Sequence, residues 1–277
     1  MMRLFIFGLG YTASRLAETL RERGWSIRAT GSAGDVDFND GDAVRAQLGE
    51  ADHILSSVPP DRERGVDPVL ERYGAGLGDT PLHYLSSTGV YGDQQGAWVD
   101  EHTPTGTGRR DARSNADTAW LERGARVYRL PGIYGPGRSA FDRVRAGKAR
   151  RIDLPGQVFS RIHVDDIVAA ILASFDTRAP PGAYNIADDQ PAGGNAVTEF
   201  ACQRLGIAPP TLETLEEADL SPMARGFYEE NRRVANGKAK RVLGWRPLYP
   251  TYVEGLDAIR CAELALAPED PSGREAR

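Results

Sequence analysis

The sequence predicts an α/β protein built on a doubly wound parallel sheet, with a small and mainly helical C-terminal subdomain. Short apolar runs alternate with amphipathic segments over roughly the first 190 residues, a pattern typical of βαβ units. A glycine-rich turn directly follows the first apolar run. Beyond about residue 190, helical patterns separated by Pro- and Gly-rich turns replace the alternation.

The composition is that of an ordinary globular protein. Of the 277 residues, 40% are hydrophobic and 26% are charged, which excludes a disordered chain. The net charge of −5 gives no basic excess for nucleic acid, and no apolar run approaches the roughly 18 residues of a membrane span. Two cysteines without CxxC spacing and four scattered histidines predict neither a disulfide framework nor a metal site.

The opening apolar stretch is too short for the core of a signal peptide. We therefore expect a cytoplasmic protein with no nucleic-acid partner and no membrane partner.

Five strands are predicted from apolar or β-branched runs. The first, Leu4–Phe7, is continuously apolar, as expected for a strand buried on both faces of a parallel sheet. The others are about Trp25–Thr30, Ile54–Val58, Leu82–Ser86 and Arg126–Leu130.

The helices are predicted from apolar residues at helical spacing and from start and stop signals. Ala13, Leu16, Ala17 and Leu20 form one stripe, which Gly24 ends. Asp67-Pro68 is a capped helix start, and Asp165 or Asp166 is expected to cap another. The remaining predicted helices are Asp111–Arg123, Ile167–Phe175, Thr198–Leu205, Asn236–Leu243 and Tyr252–Leu266.

The turn between the first strand and its helix has the spacing of a dinucleotide-binding signature. Gly8 permits a tight turn, Gly10 lets the backbone approach a diphosphate, and Ala13 is a tolerated residue at the third position. The amides of Tyr11, Thr12 and Ala13 at the helix start would hold the anion. The strand–turn–helix context favours dinucleotide binding; the alternative is a tight turn without a ligand.

The choice of cofactor depends on the end of the second strand, where an acid about 20 residues after the turn would bind the ribose 2′-hydroxyl. Gly31 occupies that place and Ser32 follows it. Since a carboxylate there would repel a 2′-phosphate, its absence favours NADP over NAD, with Ser32 as a hydrogen-bond donor. Ser57 and Val58 end the third strand and are expected to pass the cofactor ribose or to form a structural turn.

Four further motifs occur in the order of a known family. They are SSTGVYG (Ser86–Gly92), LPGIYGPG (Leu130–Gly137), RIHVDDIVAAI (Arg161–Ile171) and YNIADDQP (Tyr184–Pro191). Together with the glycine turn, the chain resembles the extended short-chain dehydrogenase/reductases, the NAD-dependent epimerase/dehydratase family, over nearly its whole length. The resemblance implies a Rossmann fold, an NAD(P) cofactor and a substrate cleft under the C-terminal subdomain.

The resemblance places the family's substrate-orienting serine at Ser87. The family's Tyr-x-x-x-Lys acid/base pair falls on Arg109 and Arg113, and no tyrosine lies between Tyr91 and Tyr128. Because arginine stays protonated, Arg109 cannot act as a general acid/base. Arg113 can still supply positive charge near the cofactor; otherwise these arginines form a solvated helix face.

Tyr91 and Tyr134 are the candidate replacement acids, with a packed aromatic as the alternative for each. Family members that act on nucleotide sugars carry an arginine four residues before the motif's histidine, where this chain has Phe159. Arg161 and Arg138 instead favour a small anionic substrate.

Residues 1–138 and 152–190 are predicted to form the NAD(P)-binding domain, residues 139–151 and 191–266 a substrate lid, and residues 267–277 a flexible tail. The favoured function is that of an atypical NAD(P)-dependent reductase, epimerase or dehydratase acting on a small polar or anionic carbonyl or hydroxyl compound. The alternative is a non-catalytic dinucleotide-binding sensor or regulatory protein. The retained Ser87 favours the enzyme and the missing acid/base pair favours the sensor; a homodimer is compatible with both.

Overall fold

The computed structural model describes residues 1–106 and 111–266. The strands are β1 (Arg3–Phe7), β2 (Ser26–Ala29), β3 (His53–Ser56), β4 (Leu82–Ser87), β5 (Trp98–Val99), β6 (Arg126–Leu130), β7 (Gly132–Tyr134), β8 (Arg151–Ile152), β9 (Arg161–His163), β10 (Gly182–Asn185), β11 (Leu212–Glu213) and β12 (Arg233–Val234). The helices are α1 (Tyr11–Glu22), α2 (Gly41–Glu50), α3 (Pro68–Tyr73), α4 (Asp111–Glu122), α5 (Ala140–Arg145), α6 (Val164–Asp176), α7 (Gly194–Leu205), α8 (Pro222–Tyr228), α9 (Gly237–Val242) and α10 (Tyr252–Leu266).

Six strands form one parallel sheet in the order β10-β6-β4-β3-β1-β2. From β1 the chain crosses outward to β2 and then returns to β3 on the other side of β1. In open α/β sheets a ligand binds at such a reversal, outside the carboxyl ends of the strands. The predicted class, a parallel α/β sheet followed by a helical C-terminal region, is confirmed.

Both faces of the sheet are covered by apolar side chains. Along β1, Leu4 and Ile6 belong to one core cluster, while Phe5 and Phe7 belong to the other. The first cluster includes the predicted stripe of α1 together with residues of α6, and the second includes residues of α2, α3 and α4. The continuous apolar sequence of β1 is thus explained by burial on both sides.

The predicted cap of α6 is wrong. His163 is the N-cap residue, and its ring Nδ1 accepts a hydrogen bond from the backbone N–H of Asp165 at 3.2 Å. Asp165 and Asp166 therefore lie inside the first turn, where Asp166 accepts hydrogen bonds from the backbone N–H groups of Leu248 and Tyr249. The acid that was expected to start this helix instead holds the segment that leads into α10.

Beyond β10 the chain is mainly helical. A third apolar cluster joins α5, α7 and α10 and includes Tyr134 of β7. The packing of α5 against α7 agrees with grouping 139–151 with 191–266, although the exact division into domains stays a prediction. The predicted tail, 267–277, lies outside the described residues. Within the described ranges, no helix is both long enough and apolar enough to cross a membrane.

Candidate functional site

The glycine turn lies at the carboxyl end of β1, where the strand order reverses. Gly10 is the N-cap of α1, no side chain caps the helix there, and open space surrounds the position that a Cβ of Gly10 would take. The first backbone hydrogen bond of α1 runs from Ser14 N–H to Gly10 O at 2.7 Å. The amides of Tyr11, Thr12 and Ala13 precede it and have no acceptor within the helix. Such a start is suited to a phosphate group.

Residues from the neighbouring strand ends hold Gly8 in place. Gly8 has a φ of +83°, its N–H donates to Thr30 Oγ1 at 3.1 Å, and its carbonyl accepts from Ser57 Oγ. A Cβ on Gly8 would lie 3.0 Å from Val58 Cγ2 and 3.1 Å from Ser57 Oγ. Ser57 and Val58 therefore border the glycine turn, while their contact with the cofactor ribose stays a prediction. Thr30 is a supporting residue that the sequence did not reveal.

Gly31 packs directly against the same turn. Its φ is +107°, and a Cβ there would lie 3.0 Å from Leu9 N and 3.4 Å from Gly8 Cα. An acidic side chain at this position would therefore displace the turn itself. The absence of a carboxylate at this position is thus a packing requirement of this chain.

In the loop after β2, the first carboxylate along the chain is already paired. Ser32 is exposed and stands in a Gly-Ser-Ala-Gly stretch. The next acid, Asp35, accepts from Ala29 N–H at 2.9 Å and pairs with Arg28 at 3.0 Å. The Asp35 carboxylate is therefore held at the end of β2.

The loop that follows β7 reaches the start of α1. The Tyr11 hydroxyl donates to Pro136 O at 3.0 Å, and the Arg138 guanidinium carbon lies 5.7 Å from the centre of the Tyr11 ring. A Cβ on Gly135 would lie 2.5 Å from the Tyr11 hydroxyl, so this approach requires glycine. The structure thus places Arg138, which is predicted to bind substrate, beside the glycine turn.

Ser87 ends β4 at the carboxyl edge of the sheet. It lies opposite Leu130 in the β4–β6 ladder, and its Oγ accepts from Gly89 N–H at 3.1 Å. The side chain is partly buried. Among the described residues its O–H has no acceptor, which leaves the proton available to a substrate oxygen.

A buried polar network lies under Ser87. Arg129 donates twice to Asp117, from Nη2 to Oδ1 at 2.7 Å and from Nε to Oδ2 at 3.1 Å. Ser86 Oγ also donates to Asp117, at 2.6 Å. Arg129 Nη1 donates to the Tyr91 hydroxyl at 3.0 Å, which in turn donates to Asn185 Oδ1 at 2.7 Å. The network joins α4 to the carboxyl ends of β4, β6 and β10.

Arg161 and Asp188 form a second polar group between the sheet and the helical region. Arg161 Nη1 donates to the carbonyl oxygens of Phe159 and Ala192, both at 2.8 Å. Burial lowers the pKa of Arg161 to about 10, with Asp188 opposing the shift. Burial also raises the pKa of Asp188 to about 8, against the effect of Arg161. Sequence reasoning missed Asp188, whose only signal was an acidic pair after a predicted strand.

Within residues 1–106 and 111–266, no group of three or more His, Cys, Asp and Glu side chains could hold a metal ion.

Solved structures share this architecture. A functionally unknown conserved protein from Silicibacter pomeroyi is 40% identical, with a TM-score of 0.84 over 95% of this chain and 99% of that one. This chain belongs to the same family. The dTDP-glucose 4,6-dehydratase of Bacillus anthracis in complex with NAD (17% identity, TM-score 0.74, 95% and 97% covered) and a human epimerase family protein with NADPH (17%, 0.72, 93% and 99%) share the fold. The fold is that of the epimerase/dehydratase-like short-chain dehydrogenase/reductases.

Curated relatives are more distant or partial, and no protein-family model matches the chain. Protein YeeZ of Escherichia coli K12 is 28% identical over 286 residues, covering 90% of this chain and 97% of YeeZ. A 3-diazoavenalumate denitrifying reductase from Streptomyces is 35% identical over 141 residues, which is 47% of this chain. The matched part spans 45% of that reductase.

In this epimerase/dehydratase-like fold, Arg113 of α4 contacts Tyr84 of β4. Arg113 Nη1 donates to the Tyr84 hydroxyl at 3.3 Å, and the Tyr84 ring stacks on Trp120 with a centroid distance of 5.3 Å. Tyr84 precedes Ser87 by three residues, or roughly 10 Å along an extended strand. Arg113 therefore contacts a residue in the middle of β4, and its role near a cofactor stays a prediction. Arg109 lies outside the described residues.

The surroundings of Tyr91 argue against its predicted role as the replacement acid. Its ring is fully buried, and desolvation raises its pKa to about 12, although Arg129 opposes the shift. A general acid works best with a pKa near the operating pH. The hydroxyl instead connects Arg129 to Asn185.

Tyr134 is also packed rather than open to a ligand. Its hydroxyl donates to Thr251 O at 3.4 Å, and a Cβ on Gly255 would lie 2.0 Å from that hydroxyl. Burial raises the pKa of Tyr134, and Asp188 raises it further. Tyr134 therefore packs β7 against α10.

Proposed function

We propose that the protein is an NAD(P)-dependent oxidoreductase that reduces or oxidises a small anionic carbonyl or hydroxyl compound. The observation that carries this proposal is the start of α1: amides without helical acceptors, open space at Gly10, and a turn held by Ser57 and Thr30. A partial relative named as a reductase and fold relatives solved with NAD or NADPH support it.

NADP is the proposed preferred cofactor. Gly31 leaves no room for the acid that would select a 2′-hydroxyl, and Ser32 is exposed next to it. The neighbouring acid, Asp35, is paired with Arg28. Together these features leave the 2′ position free of a repelling charge.

The chain's own residues divide the work of the reaction. The amides of Tyr11, Thr12 and Ala13 bind the diphosphate, and the Ser87 hydroxyl donates to the substrate oxygen. The bound nicotinamide supplies or accepts the hydride. Because the sequence has no tyrosine in the family's acid/base position and Tyr91 is buried, water or the substrate itself exchanges the proton.

Gly10→Ala gives a sharp test of cofactor binding. Gly10 has a φ of −88°, which any residue adopts, and a new methyl group there would meet no protein atom within 4 Å. We expect the melting temperature of the free protein to stay unchanged, while NADPH affinity falls because the methyl group occupies the diphosphate space. Gly49→Ala is the matched control, since its Cβ also meets open space.

Binding is measured by quenching of tryptophan fluorescence and by the ligand-induced rise in melting temperature. The assignment of the turn would be refuted if Gly10→Ala binds NADPH as tightly as the wild type does. It would also be refuted if the wild type binds neither NADPH nor NADH. Turnover is then sought by following NADPH consumption with a panel of carbonyl acids and their neutral esters.

A non-catalytic sensor is the second candidate. It is favoured by the missing Tyr-x-x-x-Lys pair and by Arg113, whose guanidinium is hydrogen-bonded to the Tyr84 hydroxyl. The sensor is supported, and the enzyme refuted, if NADPH binds, none of the carbonyl compounds is reduced, and NADPH changes the affinity for a protein partner.

A further inference from the structure

Arg161 is a cation whose only nearby carboxyl group by electrostatics, among the described residues, is that of Asp188. Its Nη1 is held by two carbonyl oxygens, those of Phe159 and Ala192. In the described part of the chain its guanidinium forms no salt bridge, and Asp188 acts on it electrostatically without one. A partly buried cation without a counter-charge is costly, so an anionic ligand would stabilise this position.

Asp188 provides a second polar group at the same place. Its backbone N–H donates to Arg161 O at 2.8 Å, so the two side chains start from adjacent positions. The residue is 1% exposed. Its Oδ1 accepts from Gln190 N–H at 3.3 Å, whereas its Oδ2 is buried and has no partner. A protonated carboxyl group with a free oxygen can donate a hydrogen bond to a ligand.

We propose that Arg161 and Asp188 together bind one carboxylate group of the substrate, the guanidinium through its N–H groups and Asp188 through its acid proton. One positive charge beside one neutral acid balances a single negative charge, which favours a carboxylate over a doubly charged phosphate. The inference rests on the proposed function in that it names the anionic group of the substrate.

The position of Arg161 relative to Ser87 fits this role. A Cβ on the exposed Gly132 would lie 3.8 Å from Arg161 Cγ. Gly132 follows Leu130 by two residues, and Leu130 is the ladder partner of Ser87. The backbone positions of Ser87 and Gly132 are therefore on the order of 8 Å apart. A small molecule anchored at Arg161 can extend past Gly132 and present a carbonyl group to Ser87.

Charged and titratable groups from three elements face Asp188. They are Arg161 of β9, Asp166 of α6 and Tyr134 of β7, with Asp189 next in the chain. Burial is the largest effect and raises the pKa of Asp188 to about 8, whereas Arg161 lowers it. Below that pH Asp188 keeps its proton and donates to the anion; above it, the ionised side chain neutralises Arg161 and repels the anion.

The probe is trans-cinnamate, compared with the neutral cinnamamide, because the Phe159 ring lies 5.9 Å from the Arg161 guanidinium carbon and packs against the Tyr228 ring. Binding to the full-length protein is measured by isothermal titration calorimetry between about pH 6 and about pH 10. We expect cinnamate to bind below pH 8, with affinity falling about tenfold per pH unit above it. Cinnamamide should show no such dependence.

Three variants separate the roles of the pair. Arg161→Met is expected to weaken cinnamate binding about 30-fold, as for loss of a charge-assisted hydrogen bond; Arg161→Lys, which keeps the charge, should weaken it less. Asp188→Asn keeps a neutral donor and should make the affinity independent of pH. Arg246→Met, at an exposed arginine, is the control. Circular dichroism and thermal melting check that each variant folds.

No binding of cinnamate at pH 6.5, or binding that Arg161→Met leaves unchanged, would overturn the proposal. If the cinnamate affinity of Asp188→Asn depends on pH as that of the wild type does, Asp188 does not contribute to the proposed site. NADPH affinity is measured in the same samples. If cinnamate binds but NADPH does not, the proposed oxidoreductase is refuted and the carboxylate site is supported. If NADPH binds but cinnamate does not, the carboxylate site is refuted and the dinucleotide site is supported.

Discussion

Loss of Arg129 is expected to be among the most damaging single changes in the sheet. Arg129 is 3% exposed and Asp117 is 0% exposed, and two hydrogen bonds of 2.7 and 3.1 Å join them. In Arg129→Met the Asp117 carboxylate keeps Ser86 as a donor but loses its counter-charge. Removing one partner of a buried ion pair costs about 3–5 kcal/mol of unfolding free energy.

The double variant Arg129→Met/Asp117→Asn tests the cause of that loss. Because it removes both charges, it should be destabilised by less than the sum of the two single variants. Urea unfolding followed by circular dichroism measures the free energies, and a fall of roughly 6–20 °C in melting temperature should accompany Arg129→Met. Arg62→Met, at an exposed arginine, is the control. A loss below about 1 kcal/mol in Arg129→Met, or strict additivity in the double variant, would refute the assigned ion pair.

Three further variants test the site and the core. Gly31→Asp should lose stability and dinucleotide binding together, without gaining preference for NADH, because its Cβ would lie 3.0 Å from Leu9 N; melting temperatures and binding titrations check this. Burial holds the pKa of His83 well below its usual value, so its stabilising effect is complete above about pH 6.5 and is lost as pH falls. His83→Gln should therefore flatten acid destabilisation by about 1.4 kcal/mol per pH unit in urea unfolding. Tyr91→Phe should lower the unfolding free energy by about 1–3 kcal/mol and leave NADPH turnover unchanged; lost turnover with intact stability would make Tyr91 the acid.

The parts of the fold that the sequence predicted depend on local constraints. The apolar run Leu4–Phe7 and the stripe from Ala13 to Leu20 each specify one element with one buried surface. Gly8 needs a positive φ and close packing, which restricts the residue type at that position regardless of the rest of the chain. The strand, the turn and the helix could therefore be predicted without knowledge of the tertiary contacts.

The parts that the sequence did not predict depend on contacts between distant segments. Asp166 looked like a helix cap, but it binds the backbone of Leu248, 82 residues further along the chain. Asp188 is buried because β9 lies beside the segment that follows β10, and the sequence gives no sign of that proximity. Arg113 has the right spacing for the family's lysine, but in the structure it contacts Tyr84.

The cofactor site and the catalytic site of this fold depend on different parts of the chain. A dinucleotide diphosphate is bound by backbone amides, so the site survives wherever the glycines and the packing around Gly8 survive. Acid/base catalysis depends on side-chain identity, which a few substitutions can remove without disturbing the helix. In this chain α4 keeps its place through Asp117, which binds Arg129 and Ser86. The residues that anchor α4 are therefore separate from the family's acid/base positions. The proposed reaction matches this arrangement because the cofactor exchanges the hydride, Ser87 orients the oxygen, and water or the substrate exchanges the proton.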